Sequence, residues 1–392
     1  MTLATRSLDL RLRHRTRFGL GSVLELPGLV REAGGRRAFV VTDPGVSASG
    51  VADRVEEALS AAGLELQRWA GVEGNPGAAT ITDGSAALRA FGLAETVVVP
   101  VGGGSSIDTA KVVSLHAANP HRAVMALGYD DRTIAPGLPL VAIPTTAGTG
   151  AETNTYGVIT DETVGRKGYV GHSSVLPVAT ILDPELTLGL PAAPTAATGV
   201  DALTHALESL LSRNPNPFAE AIALQVVRTV AAWLPRAVGD GWDLEARSQM
   251  LLAAHLAGIG QASGTGVGLV HAIGHALGTR GRLAHGTALA AVMPEVLDFY
   301  GALRHRELAL VGVALGVASP ADAEAVAARA AIDALERFLA GLGQRRTLRE
   351  LGLEGETLEA VADDAQADPA IKSSPRLPDG GELRAILACV AG

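Results

Sequence analysis

The first half of the chain alternates short apolar runs with longer amphipathic stretches. The runs at residues 38–41 and 97–101 are apolar throughout, and each is followed by polar or glycine residues. That pattern is typical of strands buried on both faces of a parallel sheet. Further strands are predicted near residues 64–69, 140–144, 157–160 and 179–182, and helices near 49–63 and 79–91. Strands and helices alternating at this spacing predict a parallel sheet with helices on both faces.

The pattern changes at Pro191. Beyond it, apolar residues recur at helical spacing to the C-terminus, without a competing strand pattern. A chain of 392 residues is also long for a single hydrophobic core. We therefore predict an α/β domain over residues 1–187 and an all-helical domain over residues 188–392.

The composition restricts the classes of function. The net charge is −9, and the sequence lacks the concentrated basic face that binds nucleic acid. No apolar run reaches the roughly 18 uncharged residues of a membrane span, and the N-terminus lacks the apolar core of a signal peptide. The single cysteine, Cys389, excludes an internal disulfide and a thiolate-rich metal site. We expect a cytoplasmic protein without nucleic-acid or membrane partners, whose metal ligands would be oxygen and nitrogen atoms.

Histidines and one aspartate are spaced for a metal site in the predicted helical domain. His271 and His275 lie four residues apart, and Asp201 and His205 repeat that spacing, so each pair shares one helix face. His285 follows beyond a glycine break, where another helix can begin. An isolated Asp-x-x-x-His is commonly a solvated helix face, but two histidines in an apolar helix need partners for their nitrogens. The pattern favours a divalent metal site, and spacing leaves open which of His271 and His275 binds.

A glycine-rich turn, GGGSS at residues 102–106, joins a predicted strand to the next helix. Bare backbone N–H groups at a helix N-terminus are suited to bind phosphate. The turn matches neither standard nucleotide-binding glycine pattern, and a simple tight turn is the alternative. Asp108 and Lys111 follow on the helix, where a cap and a solvated side chain are the simplest interpretation. A second loop at residues 145–150, rich in threonine and glycine, also follows a strand, where parallel sheets place ligands.

Five motifs, in this order, resemble the iron-containing (group III, metal-dependent) alcohol dehydrogenase family: GGGSSIDTAK, PTTAGTGAE, ATGVDALTHALE, GLVHAIGHALG and AHGTALA. The resemblance covers nearly the whole chain. It implies a Rossmann-like dinucleotide-binding domain followed by an all-α domain, in the two-domain architecture of dehydroquinate synthase. It also implies a metal-dependent oxidoreductase that transfers a hydride between NAD(H) and a primary alcohol or aldehyde in the interdomain cleft. A homodimer formed through an N-terminal strand is expected on the same basis.

The resemblance implies site residues position by position. The implied metal ligands are Asp201, His205, His271 and His285, and the implied ion is iron(II), with zinc as the alternative. His275 matches a catalytic position near the nicotinamide and the substrate. The implied cofactor contacts are Asp43, Gly103, Gly104, Ser105, Asp108, Thr145, Thr146, Thr149 and Lys167. Asp43 would accept a hydrogen bond from the ribose 2′-hydroxyl and repel a 2′-phosphate, which favours NAD over NADP.

Three alternatives remain open. A maleylacetate-reductase-like enzyme would have the same fold but work without a metal, although such enzymes tend to lack the carboxylate that Asp201 provides. A dehydroquinate-synthase-like lyase would use NAD only transiently, and the five motifs fit it less well. The third alternative is a binding or assembly protein that has kept this fold without turnover. The complete sets of candidate metal ligands and of glycines in the predicted loops argue against it.

Overall fold

Residues 15–128, 131, 133–163 and 165–392 are described by a computed structural model. The chain divides into two compact units, with the division between Gly189 and Leu190. We call residues 15–189 the α/β unit and residues 190–392 the helical unit. The first 14 residues of the α/β domain that the sequence predicts lie outside the described residues.

The α/β unit is built on a six-stranded parallel sheet with the strand order β1-β8-β5-β4-β2-β3, and β6 and β7 form a separate antiparallel hairpin. The strands are β1 Arg15–Phe18, β2 Arg37–Val41, β3 Glu65–Trp69, β4 Thr96–Gly102, β5 Val141–Pro144, β6 Tyr156–Asp161, β7 Arg166–Gly171 and β8 Ala179–Leu182. The parallel sheet confirms the predicted fold class. The strand predicted near residues 157–160 is β6, which lies outside that sheet. Its connection to β7 is too short for the crossover that a parallel pair requires.

Helices cover both faces of the sheet. They are α1 Leu26–Glu32, α2 Pro44–Ala48, α3 Val51–Ala61, α4 Ala78–Phe91 and α5 Gly104–Ala118. Ala38 and Val40 pack into one core with α1 and α3, while Phe39 and Val41 pack into the other with α4 and α5. Because side chains alternate across a strand, a strand covered on both faces must be apolar at every position. Since the strands are parallel, the residues that follow β2, β4 and β5 lie at one edge of the sheet.

Every regular element in residues 190–392, all of which the structure describes, is helical. The helices are α6 Ala192–Leu211, α7 Pro217–Gly239, α8 Leu244–Gly260, α9 Leu269–Gly281, α10 His285–Tyr300, α11 His305–Ala314, α12 Glu324–Gly341, α13 Glu356–Ala367 and α14 Gly380–Cys389. The central helix is α6, which packs against α7, α8, α9 and α10. Every residue from Gly199 to Leu211 is buried, as expected of a helix that is largely apolar on all sides. Asp201 and His205 are therefore held in the interior.

Two glycines set the approach of the helices that carry the other histidines. A Cβ at Gly274 on α9 would lie 2.5 Å from the side chain of Leu289 on α10. A Cβ at Gly286, in the first turn of α10, would overlap the backbone carbonyl of Ala197 on α6. A larger residue at position 286 would push α10, and with it His285, away from α6.

One helix among the described residues, α7, is long and apolar enough to cross a membrane. It contains Glu220, Arg228 and Arg236, and it packs against α6 and α8. Its buried residues recur at helical spacing on one face: Ala219, Ala223, Val226, Val227, Val230, Leu234 and Ala237. The core helix of a bundle has the same length and composition, so α7 is a weak indication of a membrane span.

Candidate functional site

Three helices of the helical unit bring three histidines to one aspartate. Asp201 and His205 lie one turn apart on α6, His271 lies on α9, and His285 begins α10. The distance to Asp201 Oδ1 is 3.5 Å from His271 Nε2, 3.6 Å from His285 Nε2 and 3.7 Å from His205 Nδ1. Ligand atoms of Asp201, His271 and His285 all lie within 4.8 Å of one another. The ring of His205 stacks on that of His271, with centroids 4.7 Å apart.

The donor atoms of this cluster fit a divalent metal ion. Asp201 Oδ1 and His271 Nε2 are buried, and neither has a hydrogen-bond partner among the residues that the structure describes. An unpaired buried polar atom is costly, so native proteins nearly always supply a partner. Nitrogen and oxygen ligands about 2.1 Å from a tetrahedral ion are about 3.4 Å from each other. The observed spacings are close to that value, and the atom types are those that zinc and iron accept.

Electrostatics support the same interpretation. Burial would raise the pKa of the Asp201 carboxyl, but His205, His285 and His271 outweigh burial and hold that pKa well below its ordinary value. Burial also lowers the pKa of His271, whereas the carboxylates of Glu208 and Asp201 raise it to about 9. Asp201 is therefore an anion across the neutral range. A cation, whether a proton on His271 or a metal ion, is favoured beside it.

The carboxylate of Glu208 contacts His271 through its other ring nitrogen. Glu208 Oε2 lies 2.6 Å from His271 Nδ1 and accepts a hydrogen bond from the backbone N–H of Gly268 at 2.7 Å. Glu208 follows Asp201 by seven residues on α6, so the two share a helix face. That spacing was the only signal for Glu208 in the sequence, because its partners lie some sixty residues further along the chain.

His275 lies beside the cluster but has different contacts. Its Nδ1 lies 2.9 Å from Asp368 Oδ2, and its ring stacks on that of His285 with centroids 5.4 Å apart. The group of three close ligand atoms includes His271 but neither His275 nor His205. Asp368 had no recognisable signal in the sequence, because it lies in a short segment after α13, far along the chain from α9.

The predicted cofactor residues of the α/β unit gather around the N-terminus of α5. A Cβ at Gly103 would lie 3.2 Å from the hydroxyl oxygen of Thr146, and a Cβ at Gly104 would lie 2.7 Å from the side chain of Thr149. The glycines therefore let the loop after β5 pack directly against the first turn of α5, where Ser105 also lies. The N–H groups and the positive end of the helix dipole make this edge a suitable place for an anionic ligand.

Asp43 and Thr145 lie at the same edge of the sheet. Asp43 Oδ1 caps α2 by accepting from the backbone N–H of Val46 at 2.9 Å, and Oδ2 accepts from the hydroxyl of Ser106 at 3.2 Å. Thr145 is buried, and its backbone N–H donates to the carbonyl of Gly102 at 3.0 Å. Both residues therefore tie neighbouring loops to the glycine turn.

Lys111 is buried beside the half-buried Asp108, so the solvated lysine considered from the sequence is wrong. Lys111 is fully buried, and its Nζ donates to the carbonyl of Tyr156 at 2.8 Å and to two oxygens of residues 151–154. Asp108 Oδ1 lies 3.7 Å from that Nζ, and Oδ2 accepts from the backbone N–H of Val158 at 3.1 Å. Both side chains therefore join α5 to β6 and the segment that precedes it.

Lys167 lies on β7, opposite Thr160 of β6, in a strand that was not predicted from the sequence. Burial raises the pKa of Asp108, while the charges of Lys111 and Lys167 oppose that rise. Lys167 is therefore within electrostatic reach of α5. The contacts of Lys167 and Asp108 with a cofactor stay predictions.

Comparisons with known proteins match both units. Residues 14–184 match the family described as iron-containing alcohol dehydrogenase, and residues 195–390 match the C-terminal part of the Fe-containing alcohol dehydrogenase family. The chain is 34% identical to the NAD-dependent methanol dehydrogenase of Bacillus methanolicus, over 94% of this chain and 96% of that protein. It is also 34% identical to the 1,3-propanediol dehydrogenase of Klebsiella pneumoniae, over 94% and 95% of the two chains. The crystal structure of a 1,3-propanediol oxidoreductase matches with a TM-score of 0.93 at 33% identity, covering 98% of this chain and 100% of that chain.

Proposed function

Because the chain belongs to the iron-containing alcohol dehydrogenase family, we propose that it transfers a hydride between NAD(H) and a primary alcohol or aldehyde. The observation that carries the proposal is the approach of three imidazole nitrogens to the buried, unpaired Oδ1 of Asp201. Small-molecule alcohols and aldehydes are the proposed substrates. The names of the methanol and propanediol dehydrogenases among the relatives support that class.

In this proposal Asp201, His205, His271 and His285 hold a divalent ion, iron(II) with zinc as the alternative. Such an ion, when bound, supplies a Lewis acid for the oxygen of the substrate. Three imidazoles and one carboxylate suit both metals. The family name supports iron.

We assign the movement of a proton to His275. Because Asp368 engages Nδ1 at 2.9 Å, Nε2 is the atom that would exchange a proton with the substrate oxygen. The stacking of His275 on His285 places this ring next to a proposed metal ligand. Asp368 would keep the ring in one orientation and one tautomer, as a carboxylate does when it accepts from an imidazole N–H.

The cofactor proposed for the α/β unit is NAD. Gly103, Gly104 and Ser105 would receive the pyrophosphate at the N-terminus of α5. The other proposed contacts are Asp43, Asp108, Thr145, Thr146, Thr149 and Lys167. Asp43 supports NAD over NADP because its carboxylate would repel a 2′-phosphate, and the relative named NAD-dependent methanol dehydrogenase supports the same preference.

We also propose a cytoplasmic homodimer. Among the strands of the described residues, β1 lies at one end of the sheet order, with β8 as its neighbour. Phe18, Leu20 and Leu24, in and just after β1, are exposed apolar side chains. An exposed sheet edge flanked by apolar residues favours pairing with a second copy. The cytoplasmic location rests on composition alone.

The metal-free, maleylacetate-reductase-like alternative is disfavoured by the presence of Asp201, because such enzymes tend to lack a carboxylate at this position. No feature of the described residues favours the dehydroquinate-synthase-like lyase over the dehydrogenase.

The proposal is tested by NADH consumption with a panel of primary aldehydes, using protein loaded with iron(II) or zinc. We expect NADH to be oxidised and NADPH to be a poor substitute. His275→Ala should retain metal and NADH binding while losing most turnover. Failure with every aldehyde would refute the dehydrogenase proposal, and equal rates with NADPH would refute the role of Asp43.

A further inference from the structure

Glu208 occupies a position in the helical unit that the proposed chemistry does not explain. It lies on α6, three residues after His205 and seven after Asp201, so all three share one face of the helix. Glu208 is buried, although a carboxylate is rarely buried without a specific partner.

The carboxylate of Glu208 is surrounded by N–H donors from the start of α9. Oε2 accepts from the backbone N–H of Gly268 at 2.7 Å and lies 2.6 Å from His271 Nδ1. Oε1 accepts from the backbone N–H of Val270 at 2.7 Å and lies 3.4 Å from that of His271. Two of these N–H groups belong to the first turn of α9, which has no intrahelical acceptors for them.

Gly268 allows this close approach. A Cβ at position 268 would lie 3.1 Å from Glu208 Oε1, a tight contact that would force the carboxylate or the helix to move. The glycine before α9 and the glutamate on α6 therefore fit each other. Neither belongs to the predicted set of ligands.

The hydrogen-bond pattern determines where the proton of His271 lies. An ionised carboxylate only accepts hydrogen bonds. Three backbone N–H groups already point at it, so the His271 atom 2.6 Å away must also be a donor. Nδ1 therefore carries hydrogen, and Nε2 is left facing Asp201 Oδ1 at 3.5 Å.

We infer that Glu208 is a positioning residue for the metal centre. It holds His271 in the Nδ1–H tautomer with Nε2 directed toward Asp201, and it fixes the start of α9 in the same contact. The inference rests on the metal centre of the proposed function. It extends that proposal to a residue that would not touch the metal, the cofactor or the substrate.

The simpler alternative is that Glu208 only caps α9. The two roles differ in what Glu208→Gln would do. The amide has a single acceptor oxygen, so it can replace Oε1 or Oε2 but not both. At the place of Oε2 it keeps Gly268 and His271 Nδ1 as donors, and at the place of Oε1 it keeps Val270. In both arrangements the negative charge behind His271, which strengthens Nε2 as a ligand, is lost. A role in capping alone predicts lower stability with unchanged metal affinity, whereas the positioning role predicts lower metal affinity.

The test is the affinity for zinc or cobalt(II), measured by competition with a chelator, and it needs neither cofactor nor substrate. For Glu208→Gln we expect about 10- to 100-fold weaker binding, the usual effect of losing a partner behind a metal-bound histidine. Glu208→Asp, which keeps the charge but is one methylene shorter, should lie between Glu208→Gln and the wild type. Glu295→Gln is the matched control, because Glu295 is a largely buried carboxylate of the same unit whose partner is Arg345.

The outcomes are separable. A folded Glu208→Gln protein that binds metal as tightly as Glu295→Gln overturns the inference and leaves the proposed function intact. A wild type that binds no metal overturns the metal centre and the inference with it. If Glu208→Gln does not fold, heteronuclear NMR of the histidine rings in the metal-loaded wild type decides. Hydrogen on Nδ1 of His271 is the expected result, and hydrogen on Nε2 overturns the inference.

Discussion

Individual charged residues of the helical unit are buried where water cannot solvate them. Asp201 is buried with Oδ1 unpaired among the described residues, and three imidazole nitrogens lie 3.5, 3.6 and 3.7 Å from that oxygen. A buried anion is stable only beside a cation or a set of donors. Either a proton on His271 or a metal ion satisfies this requirement, so the two compete for one place.

This competition predicts how metal affinity depends on pH. The pKa of His271 is raised to about 9, so at neutral pH a proton must leave Nε2 before a metal ion can bind there. We expect the affinity for zinc to rise about tenfold per pH unit from about pH 7, and to level off above about pH 9. Chelator competition across this range, corrected for the titration of the chelator, measures it. A flat profile would show that His271 Nε2 is not a ligand.

The same pKa shift has an opposite consequence for the metal-free fold. A histidine whose pKa is raised on folding stabilises the protein fully below its unfolded pKa, about 6.5. That contribution is lost as the pH rises through about 9. Metal-free protein should therefore lose stability in the range in which metal affinity increases.

The sequence predicted individual site residues where two of them lie one turn apart on the same helix. Spacing alone selected Asp201, His205 and the His271/His275 pair. It left open which histidine of that pair binds, because both lie on the same face of α9. The difference between them comes from distant partners, Glu208 for one and Asp368 for the other, and local periodicity carries no information about such contacts.

At the N-terminus of α5, two glycines allow the close approach of the loop after β5. We predict that Gly104→Ala weakens NADH binding about 5- to 100-fold, because its Cβ would meet Thr149 at 2.7 Å and overpacking typically costs about 1–3 kcal/mol. Fluorescence titration with NADH measures this. Metal affinity should not change.

Gly28→Ala provides the control for that variant. Gly28 lies within α1 of the same unit, and a Cβ there would meet no atom within 4 Å. It should leave NADH binding unchanged and leave stability equal or slightly higher, because alanine favours a helix interior. Equal NADH affinity in the two alanine variants would contradict the role given to the α5 N-terminus.

Lys111 joins α5 to the β6 hairpin and the segment before it. We predict that Lys111→Met lowers the free energy of unfolding by about 3–5 kcal/mol, because it leaves Asp108 and the carbonyl of Tyr156 without their buried cation. Urea denaturation followed by circular dichroism measures the change. Lys372→Met, at an exposed lysine, is the control. Equal midpoints for the two variants would contradict the account.

A helix or strand was predictable from the sequence when its buried positions follow a regular pattern. The strands β2 and β4 were visible because both of their faces are covered, so residues 38–41 and 97–101 are apolar at every position. β7 was missed because its residues are mostly half-buried and include Arg166, Lys167 and two glycines. β7 is stabilised by its pairing with β6. The sequence of β7 alone does not show that pairing.

At the scale of the whole molecule, the change of pattern at Pro191 marked the passage from a sheet to helices. The structure divides the chain just before it, between Gly189 and Leu190. The five motifs then identified the family. The α/β unit holds the proposed NAD contacts, and the helical unit holds the proposed metal ligands, so variants of Gly104 and of Asp201 should impair different binding steps.

The most direct test of the metal-dependent mechanism is aldehyde-dependent NADH oxidation by protein stripped with a chelator and then reloaded with iron(II) or zinc. Activity should vanish on stripping and return on reloading in the wild type and in Asp298→Asn, a change at an exposed carboxylate on α10. Asp201→Asn should stay inactive under the same treatment. Activity that survives stripping, or that persists in Asp201→Asn, would contradict the account and favour the metal-free, maleylacetate-reductase-like alternative.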